Sequence, residues 1–306
     1  MKHEFPDKVT LTEVGPRDGF QFEKRWIPTE MKVEIINDLI GAGLKHIQVA
    51  SFVNPSRVPQ MADAEEVIKR LPAESRGVVF SGLVLNTTGL KRALQAGLNH
   101  LEISLSVSDT HSRKNAGVSF DAAFRGVKEM INLAHAEGMG VRAGIQCAFG
   151  CVYEGHVSRE RIVRLVQYYV SQKADAIAIS DTTGMANPMS VKELLQVLMP
   201  MCGSTPLVLH LHDTRGLGLA NLVAALECGV IQFDTAMAGM GGCPFVAGAA
   251  GNIATEDTVY LLESMGISTG VDLAKISKCS LRLEEFLGKQ FPGKMHRLLQ
   301  LEDLRQ

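Results

Sequence analysis

The chain reads as a single TIM-type (β/α)8 barrel with extra helices at its C-terminal end. Three observations predict this. Eight strand-like segments, most of them near-continuous apolar runs, alternate with amphipathic segments, the pattern of parallel strands covered on both faces. Glycine stops recur where a helix-like segment gives way to a strand-like one, at Gly41 and Gly43, Gly97, Gly138 and Gly229. The first strand is not followed by a glycine-rich nucleotide fingerprint, which removes the main reason to choose an open doubly wound sheet.

Taken in order, residues 9–14 form the first strand, ending in the polar run Glu13-Val14-Gly15-Pro16-Arg17-Asp18-Gly19. An amphipathic helix over 29–42 stops at Gly43, and strand two follows over 46–52. Helix 62–70 leads to strand three at 78–85, and helix 88–96 to strand four at 100–106. Helix 120–137, stopped by Gly138, precedes strand five at 140–147. Helix 158–172 precedes strand six at 176–180, and helix 190–201 precedes strand seven at 207–212. Helix 217–228, stopped by Gly229, precedes strand eight at 232–236, and a last barrel helix covers 254–265. No linker rich in Pro, Ser or Gly divides the chain, so residues 1–306 are read as one catalytic domain. The barrel spans about 8–270 and a helical addition 271–306.

Composition narrows the class. The 306 residues are 46% hydrophobic and 21% charged with a net charge of −2, ordinary for a globular domain and without the positive balance that nucleic acid or an anionic membrane demands. No apolar stretch approaches the roughly 20 residues of a membrane span. The first eight residues lack the apolar core of a secretion signal, so a cytoplasmic location is expected. No two of the six cysteines have CxxC spacing, and free thiols are expected.

In such a barrel the active site lies at the C-terminal ends of the strands. His210-Leu211-His212-Asp213 closes strand seven, and two histidines two apart on a strand face one way. Strands one, seven and eight are neighbours in a closed barrel, so Asp18, His210, His212 and Asn252 can converge. That mixed N/O set suits Mg²⁺ or Mn²⁺, with Zn²⁺, Co²⁺ or Fe²⁺ as alternatives. The plainer alternative makes one histidine structural and lets the other cap a loop. Arg17 is either a fixed cation for a developing oxyanion or a salt-bridge partner of Glu13 or Asp181. Its neighbour Asp18 is not expected to serve both the metal and Arg17. The glycine-rich loop after strand eight reads as a lid, with Cys243 at its tip as a proton donor or a packing thiol. Gln48 and Ser51 stand at the end of strand two, Asp181 at the end of strand six, and Cys151 near the mouth after strand five.

With these residues in place, the runs Leu11 to Gln21, His210 to Thr214, Gly239 to Phe245 and Gly251 to Asp257 resemble the 3-hydroxy-3-methylglutaryl-CoA lyase family, of the metal-dependent superfamily of Claisen-type lyases and synthases. The resemblance covers nearly the whole chain, to about residue 275, and its most specific part is the Gly-Gly-Cys-Pro loop. It implies metal ligation by Asp18, His210, His212 and Asn252, and enolate stabilisation by Arg17. It implies an orienting or proton-transfer role for Asp181, and proton delivery by Cys243. Lys24 and Glu256 match further positions that matter in the family, and Gln21, Gln48 and Ser51 are substrate-binding or supporting positions. The implied reaction is retro-aldol cleavage of an acyl-CoA substrate to acetyl-CoA and a keto acid, within leucine degradation and ketone-body metabolism. A superfamily synthase or an aldolase acting on another hydroxy or keto acid is the alternative, against which the Gly-Gly-Cys-Pro loop argues. A homodimer through the C-terminal helices is a further expectation. The sequence departs from the family pattern at Gln48, where a Glu is usual, and at Phe22, Ala178, Leu211, Arg215 and Leu217. The lost carboxylate at 48 and the added Arg215 point to a more anionic or differently shaped acyl-CoA.

Overall fold

A computed structural model describes residues 5–72, 77–242 and 250–303. Eight parallel strands close into a barrel in the order β1 to β8, with β1 pairing β8. The strands are β1 (Thr10–Glu13), β2 (His46–Ser51), β3 (Val79–Val84), β4 (His100–Ser106), β5 (Gly140–Gln146), β6 (Ala176–Ser180), β7 (Leu207–His210) and β8 (Gln232–Thr235). The helices are α1 (Thr29–Gly41), α2 (Ala64–Arg70), α3 (Thr87–Gln95), α4 (Asp109–Asn115), α5 (Phe120–Ala136), α6 (Arg159–Ser171), α7 (Pro188–Cys202), α8 (Gly218–Glu227), α9 (Thr255–Ser264), α10 (Leu273–Leu287) and α11 (Met295–Asp303). β4 and β6 have the expected bounds, and most other elements differ by a residue or two at their ends.

Local chemistry accounts for the helix starts. The side chains of Asn86, Ser108, Ser119, Ser158 and Asp272 each accept a hydrogen bond from the first turn of the helix they precede. Asn187 and Ser190 form a reciprocal capping box ahead of α7. The short α4, which the hydrophobic pattern does not announce, rests on the Ser108 cap and on Asp109. At the other ends, Gly97 and Gly138 adopt the positive φ that stops a helix before a strand.

Apolar side chains of the helices pack on the outward faces of the strands as one continuous core. Each Leu or Ile buried there contributes roughly 1.5–3 kcal/mol. The barrel interior is different. A small apolar cluster of Ala176, Ala178 and Val208 lies apart from the outer core. Glu102, Arg142 and Asp234 meet across the interior: Arg142 Nε donates to Glu102 Oε2 at 2.8 Å, and Arg142 Nη1 to Asp234 Oδ1 at 2.8 Å. A buried charge is tolerated only when paired and hydrogen-bonded, and this triad meets both conditions.

β7 is shorter than expected. It ends at His210, and His212 instead makes an isolated antiparallel bridge with Asn252. The C-terminal addition packs as α10 against α1 and α9, with α11 against α9 and α10. Among the described residues no helix is long and apolar enough to cross a membrane.

Candidate metal centre and active site

β1 runs into a wide π-type turn, Gly15–Gly19, closed by the Phe20 N–H on the Gly15 carbonyl. Such turns re-aim side chains at functional sites. This one directs Arg17 and Asp18, both buried, over the C-terminal mouth. Asp18, His210 and His212 bring one ligand atom each within 4.8 Å of one another. The two histidines face each other Nε2 to Nε2 at 3.2 Å, and His212 Nε2 lies 3.9 Å from Asp18 Oδ2. Asn252 Nδ2 donates to Asp18 Oδ2 at 2.7 Å and to the Met240 carbonyl at 3.0 Å. The bridge between His212 and Asn252 thus does what a longer strand seven was expected to do.

A divalent ion fits this donor set. The Asn252 Oδ1 is buried with no hydrogen-bond partner among the described residues, a cost that a cation would remove. Gly241 allows the approach: a Cβ there would lie 2.5 Å from Asn252 Nδ2, and its φ of +111° disfavours a side chain in any case. Burial first, with the neighbouring His210 and Arg17, pushes His212 down to about 3 against the pull of Asp18, so its imidazole is neutral at pH 7. Burial also acts to raise Asp18, but Arg17, His210, His212 and the Asn252 hydrogen bond outweigh it and hold the carboxyl below its ordinary value. Neutral imidazoles and an ionised carboxylate are the forms that bind metals.

Asp18 divides its two oxygens between two sets of protein partners. Its Oδ1 accepts from Arg17 Nη1 and, at 3.0 Å, from Gln21 Nε2, while Oδ2 turns to Asn252 and His212. The other carboxylates considered for Arg17 are turned to backbone N–H groups. Asp181 Oδ1 accepts from Met185 and Ala186, and Glu13 Oε1 from Gly15 and Met237. Burial pushes Asp181 up to about 6, against these backbone hydrogen bonds. Ser51 is buried, with its Oγ unpartnered among the described residues.

The structure does not bring every candidate together. Lys24 is exposed and does not line the cavity. Glu256 lies below the site, accepting from the Ala238 N–H and from Ser280 Oγ. It thereby holds the left-handed Ala238 in the turn after β8. Arg215 does not line the cavity; it donates to the Thr183 and Gly184 carbonyls and so ties down the loop after β6. Cys151 is buried, its Sγ accepting from Ser108 Oγ. Cys243 lies outside the described residues.

Asp234 was missed. Its Oδ2 accepts from His210 Nδ1 at 3.0 Å, which leaves the Nε2 lone pair facing the ligand point. Burial raises its carboxyl, but Arg142 and His210 outweigh that and hold it well below the usual carboxylate range. In the sequence Asp234 is a carboxylate inside a strand whose other side chains are largely buried, and such a charge needs a partner. Asp234→Asn is expected to weaken divalent-ion affinity by about 10–100-fold. Calorimetric metal titration checks this, and unchanged affinity would refute the orienting role.

Glu13 beneath the turn sets a pH response. Burial pushes its carboxyl up to about 8, despite hydrogen bonds from Thr255, Met237 and Gly15 that act to lower it. The unfolded chain releases this proton near the ordinary 4.5, so between 4.5 and about 8 the fold binds more protons than the unfolded chain. Stability from this group is therefore complete below 4.5 and lost as pH rises toward 8. In Glu13→Gln the decline in Tm over that range should flatten relative to wild type; parallel curves would show that the carboxyl is already ionised in the fold.

Above the three ligand atoms opens a cavity of about 630 Å³, with Arg17, Asp18, His210 and His212 in its wall. Gln21, Phe22, Glu102, Ser104 and Gln146 line it further, and the exposed Arg57 stands at its rim.

The HMGL-like family model matches residues 8–281. Hydroxymethylglutaryl-CoA lyase YngG of Bacillus subtilis is 41% identical over 290 residues, covering 95% of this chain and 97% of that protein. The mitochondrial hydroxymethylglutaryl-CoA lyase of Bos taurus is 38% identical over 291 residues, covering 95% and 89%. Among solved structures, an HMG-CoA lyase of Acinetobacter baumannii in complex with coenzyme A and 3-methylmalate superposes with a TM-score of 0.90 at 38% identity, covering 95% of each chain.

Proposed function

The chain belongs to the HMGL-like family, and from that premise we propose that it is a divalent-metal-dependent carbon–carbon lyase. Its substrate is 3-hydroxy-3-methylglutaryl-CoA or a close 3-hydroxyacyl-CoA. Its products are acetyl-CoA and a keto acid, acetoacetate for the parent compound. The observation that carries this reading is the placement of Arg17 beside a buried Asp18–His210–His212 set at one end of a single cavity.

A bound Mg²⁺ or Mn²⁺ supplies Lewis acidity that eases loss of the substrate's hydroxyl proton. Asp18, His210 and His212, with the Asn252 amide oxygen, would hold that ion. In the cleavage the hydroxyl proton passes to water acting as base, and the bond between C2 and C3 of the substrate breaks. C3 becomes a ketone, and the electron pair passes to the thioester as an enolate. Arg17, fixed by Gln48 and Asp18, faces the cavity where that charge develops. A pre-oriented cation needs no reorganisation at that moment. Protonation at C2 then yields acetyl-CoA, and by resemblance this proton comes from Cys243. Asp181 supports the orienting role: it ties the turn whose neighbours Ser180 and Thr182 line the cavity. Arg57 at the rim offers a cation to the phosphates of the CoA moiety. A cytoplasmic location is part of this proposal.

The test is keto-acid release on mixing the Mg²⁺- or Mn²⁺-loaded protein with a panel of 3-hydroxy-3-carboxyalkyl thioesters and the matching free acids. Release from a thioester and none from the free acids is expected. No release from any thioester would overturn the reading.

A further inference from the structure

One carboxylate in the cavity wall has no part in the scheme above. Glu102 on β4 is buried, and its Oε2 accepts from Arg142 Nε and from Gln48 Nε2. Gln48 Oε1 accepts in turn from Arg17 Nε at 2.8 Å. The amide serves both neighbours in only one orientation. Flipped, it would set N–H against the guanidinium N–H and oxygen against the carboxylate. Two local features build this contact. The pairing of β2 with β3 shifts register between Gln48 and Ala50, and such bulges re-aim side chains. Across from Glu102, Gly144 leaves room, since a Cβ there would lie 3.1 Å from Glu102 Oε1 and 2.5 Å from Ser104 Oγ.

A glutamate at position 48, the residue the resemblance leads one to expect, could still accept from Arg17. Its second oxygen would then oppose Glu102 Oε2 inside a buried barrel, where like charges in contact are strongly unfavourable. Positions 48 and 102 therefore work as a pair with one amide and one carboxylate. We infer that Glu102 is a positioning residue for the lyase reaction: through the Gln48 amide it provides the anionic support that orients Arg17. The charge absent from position 48 is thus displaced by one hydrogen bond rather than lost. This inference rests on the proposed role of Arg17.

The test is a charge swap read in two ways: kcat and KM with the thioester in the metal-loaded protein, and Tm of the metal-free protein. Gln48→Glu and Glu102→Gln should each lower kcat by about tenfold or more and lower Tm, with little change in KM. The double variant restores the pair in reverse. An amide at 102 can accept from Arg142 and donate to a carboxylate at 48, which itself accepts from Arg17. It should regain kcat to within about threefold of wild type, and regain Tm. Additive losses in the double variant, or singles that behave as wild type, would overturn the inference. Recovery of Tm without recovery of kcat would reduce Glu102 to a structural role and also overturn it. If the wild type itself releases no acetyl-CoA, the lyase reading fails, while the Tm cycle still decides whether residues 48 and 102 are coupled.

Discussion

Asp18→Asn protein is expected to fold, to retain no stoichiometric divalent ion after purification and to release no measurable acetyl-CoA. The loss should exceed the roughly 10–100-fold cost of removing a group that only supports a ligand. Asp18 is the one anion of the donor triad, and each of its oxygens has its own task. An asparagine can still offer one oxygen to Arg17. Its other atom becomes an NH2 that faces Asn252 Nδ2 and points protons at the position a cation would take. Asp18→Ala should be worse, because it also leaves the Arg17 guanidinium buried without its counter-charge, a change that costs about 3–5 kcal/mol in comparable buried pairs. Metal analysis of the purified variants, with a thermal melt to establish folding, separates the two effects. Stoichiometric metal in Asp18→Asn would remove Asp18 from the ligand set.

Removal of Arg17 should produce the opposite signature. In Arg17→Met the metal remains bound and KM for the thioester changes little, while kcat falls by about 10²–10³-fold, the usual cost of deleting one group aimed at a developing oxyanion. Arg17 donates through Nε to Gln48 and through Nη1 to Asp18, so its guanidinium plane is held from two sides. Lysine carries the charge without the fork, and Arg17→Lys should recover only a small part of the loss. Steady-state kinetics beside metal analysis checks this. If metal and activity were lost together, Arg17 would be a support for Asp18 and not the electrophile.

Much of this site is legible in the amino-acid order because barrel topology turns local pattern into position. Apolar runs set the strands, and the C-terminal mouth gathers the polar residues that follow them. His210, His212, Asp18 and Asn252 could be brought to one point on that basis alone. What was not legible depends on pairings between distant residues. The Arg17–Asp18 ion pair arises from a π-type turn that no hydrophobic period announces. His212 reaches its place through a bridge to Asn252, not by continuing β7. Arg215 reads as a cation for substrate until the loop carbonyls that occupy it are seen. Gln48 reads as a missing charge until Glu102 is found beside it. Glu102, Arg142 and Asp234 each put a charge inside a barrel strand, and a charge placed there needs a partner across the interior.

The most direct test of the account is the product balance from 3-hydroxy-3-methylglutaryl-CoA. With Mg²⁺ or Mn²⁺ present, acetyl-CoA and acetoacetate should appear in equal amounts as the thioester is consumed, and a chelator should stop both. Free CoA in place of acetyl-CoA, or release that continues undiminished after chelation, would contradict it.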